Sequence, residues 1–240
     1  SRSLALLGGE EAAHITLDDN FLGHRCIPER MVLDSAKHDP EAFLREVLPA
    51  MVSILKAAAV KGDEIPRLDY VWLCRINTVI PNSSRALLTA MQTALSALAA
   101  NKPAEFLRLA DELKSLEFDT LHYLLLRAFT ANAVALAVPA VEFLLENPLR
   151  LTTGLTGESG WAVQEMLTAV TPHCPDSLLE ALQKTILEDY PRWAIHAEKG
   201  RHDGWPQLPL LRGIDRGRRL PSAVRRLAEL ERRFGTAAIQ

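Results

Sequence analysis

Long apolar runs, cysteine frameworks and β-forming residues are all scarce in this 240-residue sequence. Its three cysteines, Cys26, Cys74 and Cys174, are widely spaced and odd in number, with no CxxC pair. That pattern excludes a disulfide scaffold and fits reduced, buried thiols. Aromatics make up 6% of the chain, and Ile and Val together supply 22 residues. A fold rich in strands draws on those residue types, so a mainly β architecture is excluded. The most membrane-like stretch, Ala128 to Val141, contains Asn132 and Pro139. It falls short of the roughly 20 residues needed to cross a bilayer and reads as a buried helix. Near the start, Leu4-Ala5-Leu6-Leu7 gives way to Gly8-Gly9-Glu10-Glu11, too short for a secretory signal. The expected setting is therefore the cytoplasm, with no membrane partner.

Present in excess are Leu, 40 residues, and Ala, 32, which together form 30% of the chain. Both are strong helix formers, and the sequence predicts an all-α protein. Residues 1–38 read as an irregular N-terminal segment and 39–240 as a helical domain. Asp39-Pro40 supplies a capping side chain followed by proline at the first helical position. Phe43, Leu44, Val47, Leu48, Met51, Ile54 and Leu55 follow at helical spacing, with a kink or break expected at Pro49. Further helices are predicted over 66–79, from Ser83, and over 103–116, 119–131, 133–146, 159–170, 175–190, 206–212 and 221–234.

Pro40-Glu41-Ala42-Phe43-Leu44-Arg45 recurs as Pro103-Ala104-Glu105-Phe106-Leu107-Arg108, 63 residues later. Pro175-Asp176-Ser177-Leu178-Leu179 repeats the start signal in weaker form. Such spacing fits a HEAT-like α-solenoid of stacked helical hairpins. A compact helical bundle is the alternative. The first residue is Ser rather than Met, and the expectation is a domain belonging to a larger protein.

Catalytic and cofactor motifs are thin. Gly154-Leu155-Thr156-Gly157-Glu158-Ser159-Gly160 is glycine-rich before a helix, but no Gly-Lys dipeptide exists for a P-loop. Ser159 lacks the GxSxG setting, and Ser53-Ile54-Leu55-Lys56 lacks the partner motifs of an SxxK enzyme. No cofactor is expected. The densest possible metal set is His196, Glu198, His202 and Asp203. These are competent ligand types, but Lys199 and Arg201 lie among them, and a solvated loop is the simpler reading. A small metal-dependent helical enzyme is the corresponding alternative.

Charge is unevenly spread. The total is -3, yet between Arg212 and Arg233 eight arginines stand against Asp215, Glu229 and Glu231. That segment is +5, leaving -8 for the remainder. Arg212, Arg216, Arg218, Arg219, Arg225 and Arg226 are candidate binding residues, because guanidinium suits carboxylate and phosphate. Arg225, Arg226, Arg232 and Arg233 flank an apolar Val224, Leu227, Leu230, Phe234 stripe, as on an amphipathic surface helix. Nucleic-acid binding through these arginines is one alternative. Trp193 and Trp205 could line a peptide groove, although packing at the end of the helical array is the plainer role.

Several segments carry a family likeness. They are Leu124-Leu125-Leu126-Arg127-Ala128-Phe129-Thr130-Ala131-Asn132, Trp161-Ala162-Val163-Gln164-Glu165, Pro172-His173-Cys174-Pro175-Asp176 and Arg225-Arg226-Leu227-Ala228-Glu229-Leu230-Glu231-Arg232-Arg233-Phe234-Gly235. Together, over about residues 85 to 235, they resemble the helical-repeat region of large bacterial STAND-type NTPases. These are multidomain signalling ATPases that include antiphage defence proteins. The resemblance implies target sensing and protein-protein contact, with nucleotide handled by a separate domain. The sequence has no Walker A motif, so hydrolysis is not implied for it, and no family site residue maps onto it. The function expected is a non-enzymatic scaffold that contacts a protein partner or the remainder of a larger chain.

Overall fold

The computed structural model describes residues 29–60, 67–69, 71–72, 83–153, 161–188 and 204–234. Ten α-helices run through them: α1 (Glu29–His38), α2 (Pro40–Ala57), α3 (Ser83–Asn101), α4 (Pro103–Lys114), α5 (Asp119–Ala131), α6 (Ala133–Glu146), α7 (Trp161–Val170), α8 (Asp176–Glu188), α9 (Gln207–Gly213) and α10 (Pro221–Phe234). Short 3-10 turns cover Pro148–Thr152, Thr171–His173 and Arg216–Arg218. No strand forms among the described residues, and none of their helices is long and apolar enough to cross a membrane.

The start signals act as local chemistry dictates. Asp39 accepts the Ala42 N–H at 3.0 Å, and Pro40 opens α2. Pro103 opens α4 in the same way, and the two echoed starts are tied together. Lys102 Nζ lies 2.5 Å from Glu41 and 3.8 Å from Glu105. Asn132 forms the corner between α5 and α6. Its side chain accepts from Ala135 N at 3.4 Å and donates to the Ala99 carbonyl at 3.1 Å, fixing the corner to the end of α3.

Helices α1, α3, α5, α7 and α9 pack one after another, each against the next. Helix α2 rests on α3, α4 on α3 and α5, and α6 on α5 and α7, while α8 touches α6 and α9. The fully buried side chains Met51, Met91, Leu95, Phe106, Leu121, Leu124, Leu136 and Met166 form one continuous apolar core between these helices. Helix α10 closes the series against α9.

Three expectations need correction. The segment read as irregular contains α1, whose last turn carries Lys37 and His38 next to the negative helix end. The predicted helix over 66–79 does not begin as one. Arg67 pairs with Phe118 and Asp69 with Ala59 in isolated bridges, because Arg67 N donates to Glu117 O at 2.6 Å and Val60 N to Leu68 O at 2.9 Å. Of the kink or break expected at Pro49, there is no break: the exposed proline lies within α2, which continues through it. The apolar stretch from Ala128 to Val141 is not one buried helix: it breaks at Asn132, and Val134 is 70% exposed.

Candidate functional site

The arginine-rich segment is held on the end of the array by three polar side chains. Gln183 accepts from Leu220 N at 2.7 Å and donates to the Arg218 carbonyl at 3.2 Å. Gln207 donates to Ile186 O and accepts from Arg226 Nε, both at 2.9 Å. Thr171 Oγ1 accepts the Asp215 N–H at 2.9 Å, and Asp215 in turn caps the next 3-10 turn through Gly217 N. Each is a buried group with at least one backbone partner, which fixes the segment's path.

These contacts divide the arginines into two sets. Arg218 reaches inward and donates to Thr171 O at 2.5 Å, Cys174 O at 2.6 Å and Asp176 Oδ1 at 2.5 Å. It closes the end of the turn that joins α7 to α8. Arg219 donates to the carbonyls of Ile214 and Arg212, each at 3.0 Å. Arg212 pairs with Glu231 at 3.1 Å, and Arg226 with Glu229 at 2.8 Å. Four of the predicted binding residues are therefore bound within the chain. Arg216, Arg225, Arg232 and Arg233 are exposed. Arg232 bends back to the Ala228 carbonyl at 3.3 Å, and Arg233 lies over the Phe234 ring at 5.3 Å.

Helix α10 buries Ala223, Leu227 and Leu230, with Phe234 half-buried. Val224, read as part of the apolar stripe, is instead 49% exposed. It lies about 100° around the helix from Ala223, off the inward face. Trp205 packs edge-on against Phe234, centroids 5.5 Å apart. Gly204 beside it has φ +93, and a Cβ there would meet Leu230 Cδ2 at 2.6 Å. A side chain there is strained by the backbone conformation and would also have to displace Leu230 Cδ2.

Trp193, His196, Glu198, His202 and Asp203 lie outside the described residues, as do Cys26 and Cys74. Among the described residues no group of three or more His, Cys, Asp or Glu could hold a metal ion. Cys174 is buried with its thiol against the Ala137 and Val170 carbonyls, and burial pushes its pKa up, away from thiolate chemistry.

A polar cluster that sequence reasoning missed lies under the α4–α5 turn and the end of α6. Arg150, 4% exposed, donates to Phe143 O and Glu117 Oε1, each at 2.8 Å, and to Glu146 Oε2 at 3.2 Å. Its guanidinium stacks over Phe143, 4.4 Å from the ring centroid. Glu117 holds the left-handed φ of 52, accepts from Asn147 at 3.2 Å and faces His122 Nε2 at 3.6 Å. His122 is wholly buried, and burial first, then the Arg150 charge, lowers its pKa to about 3. Lys114 joins from α4, 2.8 Å from Glu146. The Glu146–Arg150 spacing of four was visible in sequence; the link to Glu117 depends on tertiary packing.

A smaller surface cluster joins α3, α5 and α7. Tyr123 donates to Gln92 at 3.2 Å and meets Trp161 edge-on, while Arg127 lies over Trp161 at 5.1 Å and pairs with Glu165. No family model, curated protein or solved structure matches this chain.

Proposed function

We propose that the chain is a non-enzymatic helical recognition scaffold whose helices stack as HEAT-like hairpins and whose role is to hold a protein partner. The observation that carries this reading is the division of the C-terminal arginines. Arg212, Arg218, Arg219 and Arg226 are fixed within the chain, and Arg216, Arg225 and Arg232 are displayed on the helix that closes the array and the turn before it. Rigid elements presenting a few cationic and aromatic side chains suit recognition better than turnover. The serial packing of α1, α3, α5, α7 and α9 supports the stacked arrangement. Sequence likeness to the sensor region of bacterial signalling or defence ATPases supports a target-sensing role in the cytoplasm. In such a protein, nucleotide would be handled by another domain.

Affinity capture with the immobilised chain tests the reading, followed by gel filtration of the purified captured protein with the chain. A stoichiometric co-eluting complex is the expected result. A chain that retains no protein would sink the scaffold reading.

A further inference from the structure

The outward face of α10 combines three features. Arg225 and Arg232 are exposed and seven residues apart, which places them on one face, two turns or roughly 10 Å apart along the axis. Ala228 lies between them, also exposed, and Val224 adds an apolar side chain 49% open to solvent. The two acids of this helix are already paired, Glu229 with Arg226 at 2.8 Å and Glu231 with Arg212 at 3.1 Å. The outward positive charge is therefore not cancelled by its own helix.

We propose that this face docks an acidic, amphipathic protein segment, with Arg225 and Arg232 receiving carboxylates and Val224 and Ala228 receiving the apolar side chains between them. The inference rests on the scaffold reading and names the surface and the chemistry of its partner. Charge complementarity argues for an acidic occupant, since guanidinium forms bidentate bonds with carboxylate. Two further points favour a peptide over a nucleic acid. Double-stranded DNA carries a charge about every 1.7 Å, and outside the arginine segment the sequence sums to -8, which disfavours an extended polyanion. A short peptide meets only the basic end, and its apolar side chains can cover Val224, which phosphates cannot.

Fluorescence anisotropy on the full 240-residue chain tests this with two probes. One is a fluorescein-labelled helical peptide of Glu and Leu repeats; the other is a labelled single-stranded oligothymidylate of equal charge. The peptide should bind in low salt and weaken about tenfold or more in the Arg225→Glu/Arg232→Glu variant, with the melting temperature unchanged. Val224→Ser should weaken it severalfold. Equal peptide affinity in the double variant, or tighter binding of the oligothymidylate, would overturn the inference. A captured protein partner that binds the double variant undiminished removes the α10 surface and leaves the scaffold reading standing. Absence of any captured partner removes the scaffold reading.

Discussion

Arg150 and Arg225 carry the same guanidinium under opposite conditions. Arg150 is 4% exposed, stacked on Phe143 and shared between Glu117 and Glu146. Arg225 is exposed at the end of the helical series. A buried arginine has lost its water and depends on its partners, and those partners depend equally on it. An exposed arginine keeps its hydration and costs the fold little to remove or redirect. The arginine count of a segment therefore says little about binding until burial has divided the set. Arg218 stands between the extremes: its guanidinium is partly buried and closes two carbonyls, yet its carboxylate partner Asp176 is 96% exposed.

Arg150→Met should separate the two arginines most clearly. It leaves Glu117 beside buried His122 without its cation and the Phe143 carbonyl without its donor, although Glu117 and Glu146 retain some water. The expected loss is about 3 kcal/mol, measured as a lower urea midpoint at unchanged slope. A shift as small as that of a surface arginine would show that Arg150 belongs with Arg225 after all.

The second test uses pH. His122 titrates at about 3 in the folded chain against an ordinary value of 6.5. Between those values the unfolded chain takes up a proton that the folded chain refuses, so stability falls as pH drops below about 6.5 and levels off near 3. At pH 5 the loss from this group is about 2 kcal/mol. The charged groups Glu117 and Arg150 lie beside it, and other carboxylates of the chain also respond to pH. For that reason the readout is the difference between the parent chain and His122→Phe. The variant should have the flatter stability profile from pH 7 to 5; parallel profiles would show that His122 protonates freely.

Smaller shifts distinguish the arginines within the C-terminal segment. Arg218→Ala should cost about 1–2 kcal/mol, because the Thr171 and Cys174 carbonyls lose their donor. Arg225→Ala/Arg232→Ala should change stability by less than about 0.5 kcal/mol. Thermal melts of the two variants side by side decide this, and equal shifts would erase the division.

Much of the helical framework was legible in the sequence. Asp39-Pro40 and Pro103 act through neighbours within three residues, so their signals survive without tertiary context. Helices α5, α6 and α10 begin and end where their spacing predicted. The 66–79 expectation failed because Arg67 finds its backbone partners at Glu117 and Asp119, some fifty residues away. Periodicity reads one segment at a time and has no access to such a pairing. Val224 failed for a related reason: its apolar side chain fits an amphipathic pattern, but the inward face is centred on Ala223, Leu227 and Leu230.

The candidate site was legible only as a composition. Eight arginines between Arg212 and Arg233 announced positive charge, and their guanidinium chemistry announced carboxylate or phosphate as partners. Residue order alone specified that the chain is helical, where most helices start, and that its charge is divided between an acidic body and a basic end. These are local or additive properties of the residues. Helix packing settled which arginines serve the fold, and it brought Glu117, His122 and Arg150 into one buried cluster. Burial and pairing depend on which distant backbone arrives beside a side chain, and that is a property of the packed helices together.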